Sequence, residues 1–302
     1  MTLALTGGTG FVGQAVLDEA ARRGVPVRAL ARREQPEREG VEWLRGDLAD
    51  RGALAALVEG AEAVLHVAGV VNAPDAAGFH LGNVAGTEAL VAAAKAADVR
   101  RFVLVSSLAA REPQLSDYGR SKCDGEAVVE ASGLDWTIVR PPAIYGPRDR
   151  EILDMFRGAT WGVVPMPPNG RASMIHVDDL ARLLLALVPS WPGVVRHAFE
   201  PDDGRPGGWS HGELAAAIGE AVGRRVWAPA VPERLMRAGA WLDRRLRGTK
   251  AKLTPDRVGY MVHPDWVSRP DKAPPPEVWH AEIPTPEGLK ATARWYGQHR
   301  WL

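Results

Sequence analysis

From residue 6 the chain reads Thr6-Gly7-Gly8-Thr9-Gly10-Phe11-Val12-Gly13, with glycines at 7, 10 and 13. An apolar run, Leu3–Thr6, precedes this segment, and a helical pattern over Gly13–Arg23 follows it. A strand-to-helix turn of this kind needs glycine where the backbone reverses, where it must approach a charged ligand, and where helix and strand pack closely. The helix then offers free N–H groups and a partial positive charge to an anion. Gly7, Thr9, Gly10, Phe11, Val12 and Gly13 are therefore candidate contacts to a dinucleotide pyrophosphate.

Beyond this loop, short apolar runs alternate with helical spacing. Strands are expected at Leu3–Thr6, Val27–Ala31, Ala63–Val67, Phe102–Ser106 and Trp136–Val139. The intervening stretches Gly13–Arg23, Arg51–Val58, Asn83–Ala96 and Tyr118–Ala131 carry apolar residues at three- and four-residue spacing, with Gly24 closing the first helix. Such alternation predicts an α/β fold, a Rossmann-type doubly wound parallel sheet with helices on both faces. Prolines then punctuate the chain from Pro141 onward. Helices are still expected at Val177–Val188, Glu213–Val222 and Pro232–Arg247. The reading is a nucleotide-binding domain over residues 1–145 and 172–198, with a smaller, irregular cap lobe over 146–171 and 199–302.

Composition narrows the function classes. Thirty-seven basic residues balance thirty-seven acidic ones, which removes the electrostatic footprint expected of a nucleic-acid binder. A single cysteine, Cys123, excludes an internal disulfide framework. No apolar run approaches the roughly 18 residues needed to span a bilayer, and Leu3–Leu5 is too short for a secretory core. A cytoplasmic protein without an integral membrane segment is expected. The eight histidines show no His-x-x-x-His spacing, so no metal is assigned.

Two further segments carry chemistry. In a dinucleotide site the residue about twenty positions past the glycines contacts the adenosine ribose, and an acid there selects NAD. Here the stretch is Ala29-Leu30-Ala31-Arg32-Arg33. Arg32 and Arg33 suit a 2′-phosphate through charge-assisted forks, so NADP is expected and NAD is less favoured. Tyr118 and Lys122 stand one helical turn apart. An unperturbed phenol titrates near about 10, and a neighbouring ammonium favours the phenolate.

With these motifs in order, the chain resembles an extended short-chain dehydrogenase/reductase, of the NAD-dependent epimerase/dehydratase family, over about residues 2–225. The resemblance makes Tyr118 the acid–base and gives Lys122 the roles of holding the ribose and lowering the tyrosine pKa. It gives Ser107, or alternatively Ser106, the hydrogen bond to the substrate oxygen. Asn83, in Asn83-Val84-Ala85-Gly86-Thr87, corresponds to a structural or proton-relay asparagine. Gly46-Asp47-Leu48 resembles the adenine-contacting turn, with Asp47 and Leu48 as contacts. His66-Val67-Ala68-Gly69 resembles the segment beneath the nicotinamide half, implicating Val67, Ala68 and Gly69. Arg140–Pro147 resembles the segment that closes over the nicotinamide, implicating Pro141 and Ile144. Only ten residues separate Ser107 from Tyr118; this spacing and the surrounding wording also resemble an atypical branch containing the NADPH-binding accessory subunit of respiratory complex I. The resemblance implies an NADP-dependent interconversion of alcohol and carbonyl on a small-molecule substrate. Nucleotide-sugar epimerisation or dehydration, and a non-catalytic NADPH-binding structural or assembly role, are the alternatives. It also leaves room for a homodimer through Asn83–Ala96 and Tyr118–Ala131.

The later chain is tryptophan-rich. Trp161, Trp191, Trp209, Trp227, Trp241 and Trp266 are expected to pack a small lobe rather than line a pocket. Arg148, Arg150 and Arg171 read as exposed charges. Pro232–Arg247 is a basic amphipathic helix whose apolar stripe is expected to pack on the cap, with a membrane surface or partner as the alternative. Cys123 reads as a small helix residue.

Overall fold

The computed structural model describes residues 2–248 and 251–302. Its strands are β1 (Leu3–Thr6), β2 (Val27–Ala31), β3 (Val41–Arg45), β4 (Ala63–His66), β5 (Arg101–Val105), β6 (Asp135–Val139), β7 (Ala143–Tyr145), β8 (Arg171–Ala172), β9 (Met174–His176), β10 (His197–Phe199), β11 (Trp209–Ser210) and β12 (Asp265–Trp266). Its α-helices are α1 (Phe11–Arg22), α2 (Arg51–Val58), α3 (Ala76–His80), α4 (Gly86–Ala96), α5 (Asp117–Glu130), α6 (Leu153–Thr160), α7 (Val177–Ala186), α8 (His211–Ala221), α9 (Glu233–Arg247), α10 (Pro255–Met261) and α11 (Thr285–Gln298). The chain packs into two compact units, described separately. The first comprises Met1–Pro141, Leu180–Glu200 and Lys272–His280; the second comprises Pro142–Asp179, Pro201–Asp271 and Ala281–Leu302.

In the first unit seven strands form one sheet in the order β10-β6-β5-β4-β1-β2-β3, and every pairing in it is parallel. The order reverses between β1 and β4, which places the ends of those strands at the position where open α/β sheets bind ligands. Strand β1 is buried along its whole length, as a central parallel strand must be when helices cover both faces. On one face Ala4, Val64, Phe102, Leu104 and Ile138 pack with Leu54 and Leu57 of α2, Leu90 of α4 and Val129 of α5. The alternate residues Leu3, Leu5, Leu65 and Val103 are also fully buried. This is the expected Rossmann-type doubly wound sheet.

Several details differ from the sequence expectation. Val41–Arg45 is a strand, in register with β2 from Val27↔Val41 to Ala31↔Arg45. As an edge strand, only partly buried, it carries charges at Glu42 and Arg45, and these hide its apolar signal. The helix expected from Asn83 begins earlier. Helices α3 and α4 are joined by a π-turn, Leu81–Ala85, so helical winding runs from 76 to 96. Arg23 caps α1, and Gly24 follows it in the left-handed region at φ +63°.

The second unit has its own core, in which Tyr145, Phe156, Ile218, Leu289 and Tyr296 are buried. Two short sheets accompany it, β11-β8-β12 and the parallel pair β7-β9. The expectation that the tryptophans pack the interior fails for four of the six. Trp209 is buried, but Trp161, Trp227 and Trp241 here, and Trp191 in the first unit, are exposed. Trp161 ends α6, and Gly162 at φ +79° then turns the chain inward towards buried Val164, leaving the indole outside. The stripe of α9 is also corrected. Met236 and Ala240 are its buried residues, packed with Val258, whereas Leu235, Leu242 and Leu246 face solvent. Among the described residues no helix is long and apolar enough to cross a membrane.

Candidate active site

The glycine loop is held by contacts that exclude side chains. Gly7 has φ +77°, and a Cβ there would lie 2.6 Å from the Ala68 backbone nitrogen; one on Gly13 would lie 2.0 Å from the Gly7 carbonyl oxygen. The turn is closed by a hydrogen bond from the Gly10 N–H to the Gly7 carbonyl at 2.9 Å. Helix α1 then starts with no side-chain cap at Gly10 and no acid in its first turn. The Phe11, Val12 and Gly13 amides belong to the set of N–H groups that a helix start leaves without intrahelical partners. This arrangement suits an anion.

A hydrogen-bonded chain runs from the loop to the helix carrying Tyr118. The Ala68 N–H donates to Thr6 Oγ1 at 3.2 Å, and Thr6 Oγ1 lies 2.6 Å from His66 Nδ1. His66 Nε2 lies 3.0 Å from Thr87 Oγ1, whose proton goes to the Asn83 carbonyl at 2.8 Å. Since Thr87 has no second proton, its oxygen must accept from His66 Nε2–H. Nδ1 is then the acceptor, and the Thr6 hydroxyl donates to it. The chain therefore needs a neutral imidazole. Burial, helped by the nearby Lys122 charge, takes His66 down to about 3.

Asn83 sits on the π-turn and continues the network. Its Oδ1 accepts from the Val70 N–H at 2.7 Å, and its Nδ2 donates to the Val70 carbonyl and to Ser121 Oγ, each at 2.9 Å. Ser121 in turn donates to the Tyr118 carbonyl at 2.8 Å. Helix α5 approaches closely because Gly125 has no side chain: a Cβ there would lie 2.6 Å from the Asn83 carbonyl oxygen. Ser121 and Gly125 were not read as site residues in the sequence. Their signal was the spacing 118, 121, 122, 125, which is one face of a helix.

Lys122 is buried, and its Nζ donates to the Val105 carbonyl at 2.9 Å. Burial lowers its ammonium to about 8, against an upward pull from Glu126. A Cβ on Gly69 would lie 3.2 Å from Asn83 Oδ1 and 3.3 Å from Lys122 Nζ, so Gly69, Asn83 and Lys122 converge. Tyr118, one turn before Lys122, is partly buried, and the Phe79 ring packs beside its own at 6.0 Å between centroids. Ser107 caps a 3₁₀ turn, Leu108–Arg111, accepting from the Ala109 N–H at 3.2 Å. That turn packs against the start of α5, where a Cβ on Gly119 would lie 2.7 Å from the Ala109 carbonyl oxygen.

Ser106 is buried and donates to Glu126. Glu126 also accepts from Arg140 at 2.6 and 3.0 Å. The Pro141 carbonyl accepts from the Leu108 N–H at 3.1 Å, joining the end of β6 to the Ser107 turn.

The remaining expected contacts spread along the sheet edge. Leu48 packs against Gly86, where a Cβ would lie 2.7 Å from its Cδ1. Exposed Asp47 accepts from the Ala49 N–H at 2.9 Å. Arg33 lines a hollow of about 860 Å³ with Arg38, Arg45 and Trp43 and also with Glu34, Glu37 and Glu39, whereas Arg32 lies outside that lining. The buried Trp43 Nε1 has no hydrogen-bond partner among the described residues. Ile144 lies in the second unit, on β7 in register with Ile175.

The residues present fit a dinucleotide: backbone kept bare at Gly7, Gly13 and Gly69, an acid-free helix start, and a hollow beyond β2. Comparison with known proteins agrees. Residues 7–189 match the NAD(P)H-binding family. The ceramide reductase of Caulobacter vibrioides is 37% identical over 309 residues, covering 99% of this chain and 96% of that protein. The sterol demethylase protein B of Methylococcus capsulatus is 36% identical over 197 residues, covering 55% of this chain and 60% of that one. Among solved structures, the UDP-N-acetylglucosamine 4-epimerase of Bacillus cereus shares the fold with a TM-score of 0.70 at 18% identity, covering 100% of this chain and 97% of that one. The chain belongs to the NAD(P)H-binding family and is an NAD(P)-dependent oxidoreductase.

Proposed function

We propose that this chain is an NADP-dependent reductase that converts a ketone on a lipid-like molecule to an alcohol, with Tyr118, Lys122 and Ser107 as its catalytic residues. The observation that carries this reading is the buried Lys122 ammonium one turn from Tyr118, beside the bare backbone of Gly69. NADPH, when bound, supplies the hydride that reaches the carbonyl carbon. The protein's own groups handle charge and proton. The Tyr118 hydroxyl gives its proton to the carbonyl oxygen as charge develops there. The Lys122 ammonium holds the nicotinamide ribose and stabilises the resulting phenolate.

Ser107 orients the carbonyl through its hydroxyl hydrogen. Ser106 is the weaker candidate because its own proton is committed to Glu126. Asn83 acts as a positioning residue, tying Val70 and Ser121 together across the site. Gly7, Thr9, Gly10, Phe11, Val12 and Gly13 would receive the pyrophosphate. Asp47 and Leu48 would flank the adenine, Val67, Ala68, Gly69 and Pro141 the nicotinamide half, and Arg32 and Arg33 the 2′-phosphate. The absence of an acid at the end of β2 supports NADP over NAD. The lipid class rests on the ceramide reductase, which matches along nearly the whole chain, and on the sterol demethylase protein over about half.

The test is turnover of NADPH with long-chain keto lipids by the wild type and Tyr118→Phe. The variant should lose at least about a hundredfold in kcat, the lower end for one general acid, with NADPH affinity within about twofold of wild type. Undiminished turnover by the variant would remove Tyr118 from the chemistry. Retained cofactor without net NADPH consumption would redirect the reading to epimerisation or dehydration.

A further inference from the structure

Helix α9 presents water with a surface that a water-facing helix does not need. Its inner side is small: Met236 and Ala240 pack with Val258, supported by Val231, Leu253, Met261 and Val262. On another side Leu235, Leu242 and Leu246 are 62%, 50% and 75% exposed. Positions i, i+7 and i+11 fall on one row of a helix, so the three leucines form a continuous apolar strip. A second row, shifted by one residue and therefore by about 100° around the axis, holds Arg234, Trp241 and Arg245. Trp241 is 62% exposed, with the Arg245 guanidinium 5.6 Å from its ring centroid.

The charges on the helix are one-sided in sign. Five arginines face two acids, Glu233 and Asp243. Glu233 pairs with Arg237 at 2.7 Å. Asp243 pairs with Arg247 at 3.3 Å and also accepts from the Lys252 and Leu253 amides at 2.8 and 3.0 Å. The Arg234 and Arg244 side chains have no ion-pair partner among the described residues. A surface that complements this helix must therefore be apolar at its centre and anionic at its rim. It must also accept an indole and long guanidinium side chains at the boundary between the two, as the headgroup region of a bilayer does.

We infer that α9 docks the protein on the surface of an anionic lipid bilayer, lying in the interface with Leu235, Leu242 and Leu246 inserted and Arg234 and Arg245 at the headgroups. The inference rests on the helix surface alone and is independent of the proposed reaction. It replaces the packing of this stripe on the cap that the sequence suggested.

The experiment is flotation of the full-length protein with vesicles of phosphatidylglycerol and phosphatidylcholine, and with phosphatidylcholine alone. Protein should float with the anionic vesicles, stay down with the neutral ones, and be released as salt rises. A cation near an anionic surface is worth roughly a fivefold factor in binding. Arg234→Gln with Arg245→Gln should therefore weaken partitioning by about twenty-five-fold, and Leu242→Ser with Leu246→Ser by at least as much. All four positions are solvent-facing, so unchanged circular dichroism and NADPH affinity show that these variants are folded. Two results overturn the inference: wild type that does not float with anionic vesicles, or leucine variants that float like wild type. Concentration-dependent self-association lost in Leu242→Ser, without flotation of the wild type, also overturns it and assigns the strip to a second copy of the chain.

Discussion

Two buried titratable side chains of the candidate site, Lys122 and His66, each have a pH signature. Lys122 is lowered to about 8 in the folded protein from an ordinary value of about 10.4. As the pH rises through 8 the ammonium is lost, and with it the cation proposed to hold the ribose. NADPH affinity should weaken by up to about tenfold per pH unit above that point. Titrations of wild type and Lys122→Met should diverge there, because the variant is flat. Stability moves the other way, since between about 8 and 10 the unfolded chain binds the extra proton and folding gains as pH rises.

His66 falls to about 3 when folded, against about 6.5 when free. The unfolded chain binds more protons between those values, so stability is lost as the pH drops from about 6.5 towards 3. His66→Gln can still donate and accept but does not titrate. Its denaturation midpoint should change less between pH 6 and 4 than that of wild type, and an equal slope would show that other groups dominate the acid limb.

At the scale of elements, the sequence made plain those features that follow a period. The central strands stand out as unbroken apolar runs and the helices α1, α2 and α5 as 3.6-residue spacing, and the glycine loop sits where the one gives way to the other. Strand β3 was hidden because Glu42 and Arg45 break its apolar run at a half-covered edge. The π-turn was hidden because one extra residue per turn leaves no compositional mark. The proposed catalytic residues were legible from their motifs, but the ties that position them were not. Thr6–His66–Thr87–Asn83 joins residues up to 81 apart in sequence, and Glu126 meets Ser106 across 20.

Gly125 illustrates how little of this can be read locally. Alanine there would gain about 1 kcal/mol of helix propensity, but its Cβ would press on a backbone carbonyl at 2.6 Å, an atom that cannot swing aside. Overpacking of about 1–3 kcal/mol should prevail. Gly125→Ala is expected to lower the denaturation midpoint and, by shifting Asn83, to reduce kcat; a more stable variant would show that the contact relaxes freely.

For the whole molecule, cofactor choice is a question of linked stability. A ligand at a hundred times its dissociation constant stabilises the folded state by about 2.7 kcal/mol. For domains of about 150–250 residues this corresponds to a rise in Tm of roughly 5–10 °C. At equal concentrations NADPH should raise Tm more than NADH, and Arg32→Asp with Arg33→Asp should close the gap or reverse it. Equal shifts in wild type would end the assignment of NADP. The net charge is zero, yet five arginines gather on α9, so whole-chain averages conceal a strongly basic helix in the second unit.

The extra residue wound into Leu81–Ala85 makes the helix on either side of it rotationally independent. Phe79, before the turn, is free to lean on the Tyr118 ring, while Leu90 and Ala94, after it, stay aimed at the sheet. Ordinary winding through the same residues would swing Phe79 a quarter-turn or more around the axis, away from the Tyr118 ring, while Leu90 and Ala94 kept their places on the sheet. Deleting one residue of the turn would instead let the helix wind normally with Phe79 still beside the tyrosine, so the added residue and the wide turn cancel one another in the site.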